Sequence, residues 1–199
     1  MTAAGDLLTG VPPFRLLFPA GWVRHEVDES SERELLARSR EKFKRMHRPE
    51  LDLELTMLVK SSFRQMRTKD VFALYLPTDV REDGLVPMSI TGSVLRDPAG
   101  GSLDSHIAHL FRTQGAVFLD ERRSTVRWER EYKRLSNLPD ATNLQINYAV
   151  SVPGTGRRQA LLFTTSIVGS ASEPFDDDTL DALRTMSDVI IGTFSWQRS

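Results

Sequence analysis

The amino-acid sequence predicts an α+β fold in which helices flank an antiparallel sheet of about six strands. The C-terminal third carries the evidence. Apolar residues at the even positions 144–152 alternate with mostly polar residues at the odd positions 143–151, and this alternation places the two sets on opposite faces of a strand. Turn residues at 153–156 lead into a second apolar segment at 159–167, which indicates a hairpin. An amphipathic helix beginning near residue 178 completes the pattern.

The remaining elements follow from local signals. Ser31 and Glu34 fit a capping box, which predicts the start of a helix that ends near His47. Proline at 49 favours a second helix over 50–67, although the alternation at 51–59 also fits a strand. These two helices form a predicted helical hairpin over 31–67. The other predicted elements are strands at 14–18, 22–26, 71–76, 85–95, 116–120 and 124–132, and a helix from its N-cap Ser102 to Gly115.

Composition and charge narrow the class of protein. A chain of 199 residues can bury one core, so we expect a single domain over 1–199, with a loose leader at 1–12. The 26 basic and 27 acidic residues give a net charge of -1, which provides no general attraction to nucleic acid or to an anionic membrane. The sequence contains no cysteine, so disulfides and thiolate chemistry are excluded.

Targeting signals are not evident. The first ten residues lack the basic start and the apolar core of a secretory signal. No apolar run approaches the roughly 18 residues needed to span a bilayer. We therefore expect a cytoplasmic protein that does not associate with membranes.

Two segments resemble the PsbP-like sandwich superfamily. Residues 18–22, Phe-Pro-Ala-Gly-Trp, resemble its opening, and residues 191–194, Ile-Gly-Thr-Phe, resemble its strand-to-helix close. This superfamily includes the photosystem subunit PsbP, the Ran-binding Mog proteins and many bacterial proteins of unknown function. Residues 86–91 and 100–104 also resemble uncharacterised actinobacterial proteins. The resemblance implies a PsbP-like sandwich, a fold used mostly for binding rather than for catalysis.

Two acidic or histidine-containing motifs are compatible with metal binding. His106 and His109 lie three residues apart on a predicted helix, but no motif places a third ligand, so we interpret them as polar-face residues. The acids at 176–178 lack the spaced ligands of a calcium loop. Their position just before a helix favours capping. The sequence therefore predicts neither a metal site nor a cofactor.

Two basic segments are compatible with anion binding. The segment 154–158, Gly-Thr-Gly-Arg-Arg, continues into a strand rather than a helix, so it does not fit a P-loop and is interpreted as a hairpin turn. Six basic residues between 38 and 48 stand against the single acid Glu41. The aromatic residue among them, Phe43, belongs to the apolar set of the predicted helix, and the helix needs a solvated face, so we expect no nucleic-acid role.

Signals of catalysis are absent from the sequence. No Gly-x-Ser-x-Gly motif occurs, and no serine is paired with a histidine at a known spacing. Glu129 and Glu131 point to the same face of one strand, but Arg127 and Lys133 flank them, which favours ion pairing.

A row of polar residues provides the candidate binding site. Placing the strands in register by their apolar faces predicts that the opposite faces share these polar residues: Thr91, Ser93, Arg127, Glu129, Gln145, Asn147, and Thr164 or Thr165. If one sheet face is open to water, the row is only solvated. If the helical hairpin covers part of that face, the rest forms a polar groove. The residues predicted to line this groove and bind a ligand are Thr91, Arg127, Glu129, Gln145 and Asn147.

Together these observations predict a non-enzymatic protein-interaction or adaptor module whose partner is another protein. The alternative is a small-molecule or peptide binder that uses the polar groove, and an enzyme of unrecognised mechanism is the third possibility. The oligomeric state stays open, because Phe194 and Trp196 near the C-terminus suit either core packing or a dimer contact.

Overall fold

The computed structural model describes residues 7–45, 50–78, 86–132 and 141–197. The helices are α1 (Glu29–Arg45), α2 (Glu50–Thr68), α3 (Asp104–Thr113) and α4 (Asp177–Gly192). The strands are β1 (Phe14–Arg15), β2 (Trp22–His25), β3 (Val71–Pro77), β4 (Met88–Arg96), β5 (Val117–Phe118), β6 (Thr125–Tyr132), β7 (Ala141–Ser151), β8 (Gln159–Ser170) and β9 (Ser195–Trp196).

A large antiparallel sheet organises the molecule. It has seven strands in the order β2-β3-β4-β8-β7-β6-β5, and a separate two-stranded sheet pairs β1 with β9. The predicted α+β fold is therefore confirmed, with one strand more than expected in the main sheet. The segment 50–67, for which a strand was the alternative, is helical as α2.

One face of the large sheet packs against α4, and we call it the α4 face. Strand register brings Ile90, Thr165 and Ile146 side by side on this face. The buried residues Ile190 and Ile191 of α4 belong to the same core. This face buries the long apolar side chains of β4, β7 and β8, which is what the alternation in β7 predicts.

The two small strands close the end of this core. Phe14 stacks on Phe194 with ring centroids 5.5 Å apart, and Phe194 meets Trp196 edge-on at 4.9 Å. Phe163 of β8 lies 5.9 Å from the ring of Phe194. The C-terminal aromatic residues therefore pack into the core, one of the two possibilities that the sequence allows.

The opposite face of the sheet, which we call the hairpin face, is covered at both ends. The helices α1 and α2 contact each other, and α2 contacts β3. At the other end, Leu103 and Leu110 of the α3 segment pack in one cluster with Val126 and Trp128 of β6. Both faces therefore carry cores, so apolar residues are needed on both sides of some strands.

Two helix starts differ from the sequence expectation. The carboxylate of Asp28 accepts a hydrogen bond from the Ser31 backbone N–H at 2.8 Å, and α1 begins at Glu29. The predicted capping box at Ser31 and Glu34 is therefore wrong, because Ser31 lies inside the helix and its backbone N–H already donates to Asp28. Ser102 accepts from the Asp104 amide at 3.1 Å, although Leu103 occupies the N-cap position of α3.

The N-terminal segment is integrated into the fold. Residues 1–6 lie outside the described residues, but Leu7, Leu8 and Val11 pack against the main core. The described part of the predicted loose leader, 7–12, is therefore packed. The strand predicted at 14–18 ends at Arg15, because the Leu17 amide donates to the Thr193 hydroxyl at 2.8 Å instead of to a strand.

None of the described helices combines the length and the apolar character that crossing a membrane requires.

Candidate functional site

The residues predicted to share a polar groove lie on both faces of the sheet. Arg127 pairs with Tyr148, and Glu129 pairs with Ile146, so both belong to the α4 face. Thr91 and Asn147 both pair with Thr164 on the hairpin face. The predicted common face is therefore wrong for β6.

The reason for this error lies in the side chains of β6. Its apolar residues Val126 and Trp128 face the α3 core on the hairpin face, whereas the apolar residues of β7 face α4. Aligning the two strands by their apolar residues shifts the register by one residue, and such a slip moves every side chain to the other face.

Arg127 forms the centre of an ionic cluster beneath α4. Its Nε donates to the Asp188 carboxylate at 2.7 Å, and its Nη2 donates to Glu129 at 2.5 Å. Burial disfavours the charged guanidinium, but the two carboxylates outweigh this cost and raise the pKa of Arg127 above its usual value. Arg127 therefore stays charged and ties β6 to α4.

A chain of hydroxyl groups continues this cluster into the core. The Tyr148 hydroxyl donates to Asp188 at 2.6 Å, and the Ser187 hydroxyl lies 2.7 Å from the Tyr148 hydroxyl. Thr165 lies 2.7 Å from Ser187, and all three hydroxyl residues are fully buried. Because Tyr148 gives its one proton to Asp188, Ser187 donates to Tyr148 and Thr165 donates to Ser187.

This environment keeps the phenol of Tyr148 protonated. Burial raises its pKa above the ordinary value of a tyrosine, and the hydrogen bond to Asp188 raises it further. A phenol with a raised pKa is neither a nucleophile nor a base near neutral pH. The chain of hydrogen bonds therefore has the character of a structural link between the sheet and α4.

Beside this cluster, a cleft opens between the start of α4 and the adjoining ends of β6, β7 and β8. We call it the α4 cleft; its volume is about 600 Å³. Its floor is apolar and is formed by Leu144, Ile167, Phe175 and Leu180. The exposed residues Ala171 and Pro174 also line it, so the cleft is open to solvent.

The mouth of the α4 cleft is acidic. Glu129 and Glu131 line it together with Arg184. Arg184 Nε lies 3.4 Å from Glu129, and its Nη1 donates to Asp181 at 2.8 Å. Glu131 is exposed and has no ion pair among the described residues.

The chain around the cleft adds further negative charge. No lysine or arginine occurs from 159 to 183. The acidic residues of this stretch are Glu173, Asp176, Asp177, Asp178 and Asp181. Asp176 caps α4 by accepting from the Thr179 amide at 2.6 Å, as predicted, which lowers its pKa and keeps it negatively charged. The field at the cleft therefore favours a positively charged ligand.

The hairpin face retains a polar strip between its two covered ends. Thr91, Gln145 and Thr164 are partly exposed there. The Thr164 hydroxyl donates to the side-chain Oδ1 of Asn147 at 2.9 Å. Asn147 is 7% exposed, and its Nδ2 has no hydrogen-bond partner among the residues that the structure describes. Three predicted site residues, Thr91, Gln145 and Asn147, thus remain together, without Arg127 and Glu129.

The remaining candidates occupy ordinary surface positions. His106 and His109 are exposed on α3. The described ranges contain no group of three or more histidine, cysteine, aspartate or glutamate residues arranged to hold a metal ion. The segment 154–158 forms the hairpin turn between β7 and β8, as predicted. Of the basic segment 38–48, residues 46–48 lie outside the described residues.

The sequence does not reveal that Tyr148, Ser187 and Asp188 belong to one cluster. Tyr148 is the one hydroxyl-bearing residue in the apolar set of β7. Ser187 and Asp188 are adjacent polar residues before the apolar end of α4. Because a buried tyrosine hydroxyl usually requires a hydrogen-bond partner, the sequence indicates that Tyr148 has one. The identity of that partner depends on how α4 packs on the sheet.

Comparison with known proteins leaves the family of this chain open. No family model matches it, and no curated protein matches it. One similar solved structure is a mutant of protein Mog1, with 11% identity and a TM-score of 0.39. Another is the Saccharomyces cerevisiae Ran-binding protein Mog1p, with 12% identity and a TM-score of 0.39. Each match covers 62% of this chain and 78% of the other chain. At this level the likeness establishes neither a common family nor a common function.

Proposed function

We propose that this protein is a non-enzymatic interaction module that binds a short basic segment of a partner protein in the α4 cleft. The observation that carries the proposal is the presence, in one cavity of about 600 Å³, of an apolar floor and an acidic mouth. An apolar side chain flanked by lysine or arginine complements both features.

The apolar floor supplies most of the binding free energy. Leu180 and Phe175 are only partly buried, so a partner side chain placed on them removes apolar surface from water. Burying one leucine or phenylalanine contributes about 1.5–3 kcal/mol. An exposed ion pair at Glu131 adds at most about 1 kcal/mol. We therefore expect the carboxylates to orient the segment and accelerate association more than they increase affinity.

The groups beside the cleft support a binding role. Arg127 donates to both Asp188 and Glu129, and Tyr148 donates its proton to Asp188. A catalytic centre needs a group that is free to exchange a proton or to attack a substrate. The polar atoms of this cluster are bonded to one another and hold α4 on the sheet, which suits a rigid docking surface.

Fluorescence polarisation with labelled peptides tests the proposal. The probe is a pool of peptides of about nine residues in which leucine or phenylalanine is flanked by arginine. Wild-type protein should bind this pool and not a matched pool with glutamate in place of arginine. Leu180→Asn should weaken binding about tenfold or more, because it removes part of the floor. Glu131→Lys should weaken it at low salt, because it reverses a charge at the mouth.

Matched variants separate a specific effect from a general one. Val189→Asn also replaces an apolar residue of α4 with asparagine, at a position that is 62% exposed and outside the cleft. Glu121→Lys reverses an exposed acid that does not line the cleft. Both controls should bind like wild type. Equal binding of the two pools, or equal losses in the controls, would contradict the proposal.

The polar strip on the hairpin face provides the second candidate function, a binder of small polar molecules or peptides. The unpartnered Nδ2 of Asn147 favours it, because a buried donor without an acceptor costs about 1–3 kcal/mol. A ligand carbonyl would satisfy that donor.

A thermal-shift screen with blocked dipeptide amides tests this second candidate. A stabilising dipeptide should lose its effect in Asn147→Ala and in Thr91→Ala, and keep it in Thr113→Ala, whose exposed hydroxyl lies on α3. If no dipeptide shifts the melting temperature, the strip is a solvated surface.

A cytoplasmic location stays a prediction from the sequence.

A further inference from the structure

A second cavity lies where the turn after β4 meets the hairpin between β7 and β8. Its volume is about 310 Å³. The residues that line it are Arg96, Asp97, Gly100, Thr155, Arg158 and Gln159. Arg96, the last residue of β4, pairs with Gln159, the first residue of β8. Arg158 comes directly before Gln159, and both arginines border the same cavity. We call this cavity the hairpin pocket.

The hairpin pocket is separate from the α4 cleft. The cleft is lined by Thr142 and Leu144 at the start of β7, whereas the pocket lies beyond the end of that strand at Ser151. From Leu144 to Ser151 the strand advances by seven residues, which is roughly 23 Å at about 3.3 Å per residue. A ligand in the pocket would therefore not compete with a segment in the cleft.

Two guanidinium groups of the hairpin pocket carry charge that no described carboxylate neutralises. Arg96 Nη2 donates to the Leu7 carbonyl oxygen at 3.2 Å, and Arg158 Nε donates to the Thr155 carbonyl oxygen at 3.1 Å. Neither arginine forms an ion pair with any carboxylate among the described residues. Each backbone bond orients its guanidinium and leaves further N–H groups available.

Among the described residues that line the pocket, the one carboxylate is held within its own turn. Asp97 Oδ1 accepts from the Ala99 amide at 2.9 Å. Its Oδ2 lies 2.6 Å from the position that a Cβ on Gly101 would take, so the carboxylate rests against the turn backbone. The described part of the lining therefore carries two positive charges and one negative charge.

The neighbouring Arg157 behaves differently. Its Nη1 pairs with the Asp104 carboxylate at 3.2 Å, and Arg157 does not line the pocket. The hairpin thus contains two adjacent arginines of which only Arg158 faces the cavity. This difference supplies a matched control.

We propose that the hairpin pocket binds the phosphate group of a small soluble molecule, with Arg96 and Arg158 as its two arms. A guanidinium presents paired N–H donors that match the oxygens of a phosphate, and two such groups suit its double negative charge. A volume of about 310 Å³ accommodates a phosphate with a small organic portion. The two arms come from the end of β4 and from the hairpin between β7 and β8, and the site is unrelated to a P-loop, because the chain continues into β8 instead of a helix.

Isothermal titration calorimetry with pyrophosphate at constant ionic strength tests the proposal on the full chain. Wild-type protein should bind one equivalent, with a dissociation constant in the range of about 0.1–1 mM. Arg96→Gln and Arg158→Gln should each weaken binding about tenfold or more, because each removes one charged arm. Arg157→Gln should change it by less than about threefold, because its guanidinium is engaged with Asp104.

The outcomes that would overturn the proposal are distinct. Absence of saturable pyrophosphate binding, or an equal loss in Arg157→Gln, would exclude a specific site. Binding to phosphatidic acid vesicles without binding to pyrophosphate would place the phosphate on a lipid and exclude a soluble ligand. The three arginines are exposed, so unchanged melting temperatures should show that each variant folds.

Discussion

Removing the hydroxyl of Tyr148 is the most direct test of how α4 is held on the sheet. The substitution Tyr148→Phe keeps the aromatic ring in its fully buried site and deletes only the oxygen. That oxygen lies 2.6 Å from Asp188 and 2.7 Å from Ser187. The change therefore breaks the hydroxyl chain at its centre without creating a large cavity.

The expected loss of stability follows from the two bonds. A hydrogen bond to a charged group such as Asp188 contributes about 1.5–3 kcal/mol, and one between neutral groups contributes about 1 kcal/mol. The buried Ser187 hydroxyl also loses its acceptor. We expect the free energy of unfolding to fall by about 3 kcal/mol. For a chain of this length that corresponds to a decrease of roughly 6–12 °C in melting temperature.

Urea denaturation of wild type, Tyr148→Phe, Ser187→Ala and the double variant measures the effect and the coupling. The two substitutions should be non-additive by about 1 kcal/mol, because they remove opposite ends of one hydrogen bond. Tyr75→Phe is the matched control, because Tyr75 is also buried, at 6% exposed, but its hydroxyl interacts with the exposed residue Arg24 instead of with a buried chain of hydroxyl groups. If Tyr148→Phe lowers the free energy of unfolding no more than Tyr75→Phe does, or if the two substitutions are strictly additive, the hydroxyl groups do not have this structural role.

Three further predictions concern other parts of the core. Gly92→Ala should destabilise the protein by about 1–3 kcal/mol in urea titration, because a Cβ there would lie 2.6 Å from the Phe72 ring; an unchanged midpoint would contradict this packing. Arg127→Met should cost about 3 kcal/mol in urea titration, because it leaves the half-buried carboxylates of Asp188 and Glu129 without their charged partner; a loss below about 1 kcal/mol, the value of an exposed ion pair, would argue against it. Burial lowers the pKa of His25 below its usual 6.5, so the unfolded chain takes up the proton first and stability should fall as the pH drops below about 6.5. His25→Gln should reduce this pH dependence between pH 7.5 and 5.5, and an unaltered dependence would contradict it.

The elements of this protein were largely predictable because their signals are local. The alternation at 143–152 identifies β7 and its α4 face correctly, since a strand repeats every two residues. The helix over 50–67 was favoured by Pro49 at its first turn. The N-terminus of α1 was misplaced because Asp28 and Ser31 both suit a cap, and only the backbone path selects between them. The single-domain organisation stays a prediction.

The candidate site was predictable only in part, because its residues come from separated elements. Thr91, Gln145 and Asn147 share a face as expected, whereas Arg127 and Glu129 lie on the other face. The sequence cannot show that both faces of the sheet are covered, and this double covering is what turns the apolar side of β6 toward α3.

The sequence by itself therefore determined which segments become strands and helices and which side chains share a face within each strand, because both follow from backbone periodicity. Only the tertiary structure decided which face of β6 meets α4, that Tyr148 reaches Asp188, and that Arg96 and Arg158 border one cavity. These relations join residues that are 40 or more positions apart, and they depend on strand order and helix docking, which no local pattern encodes.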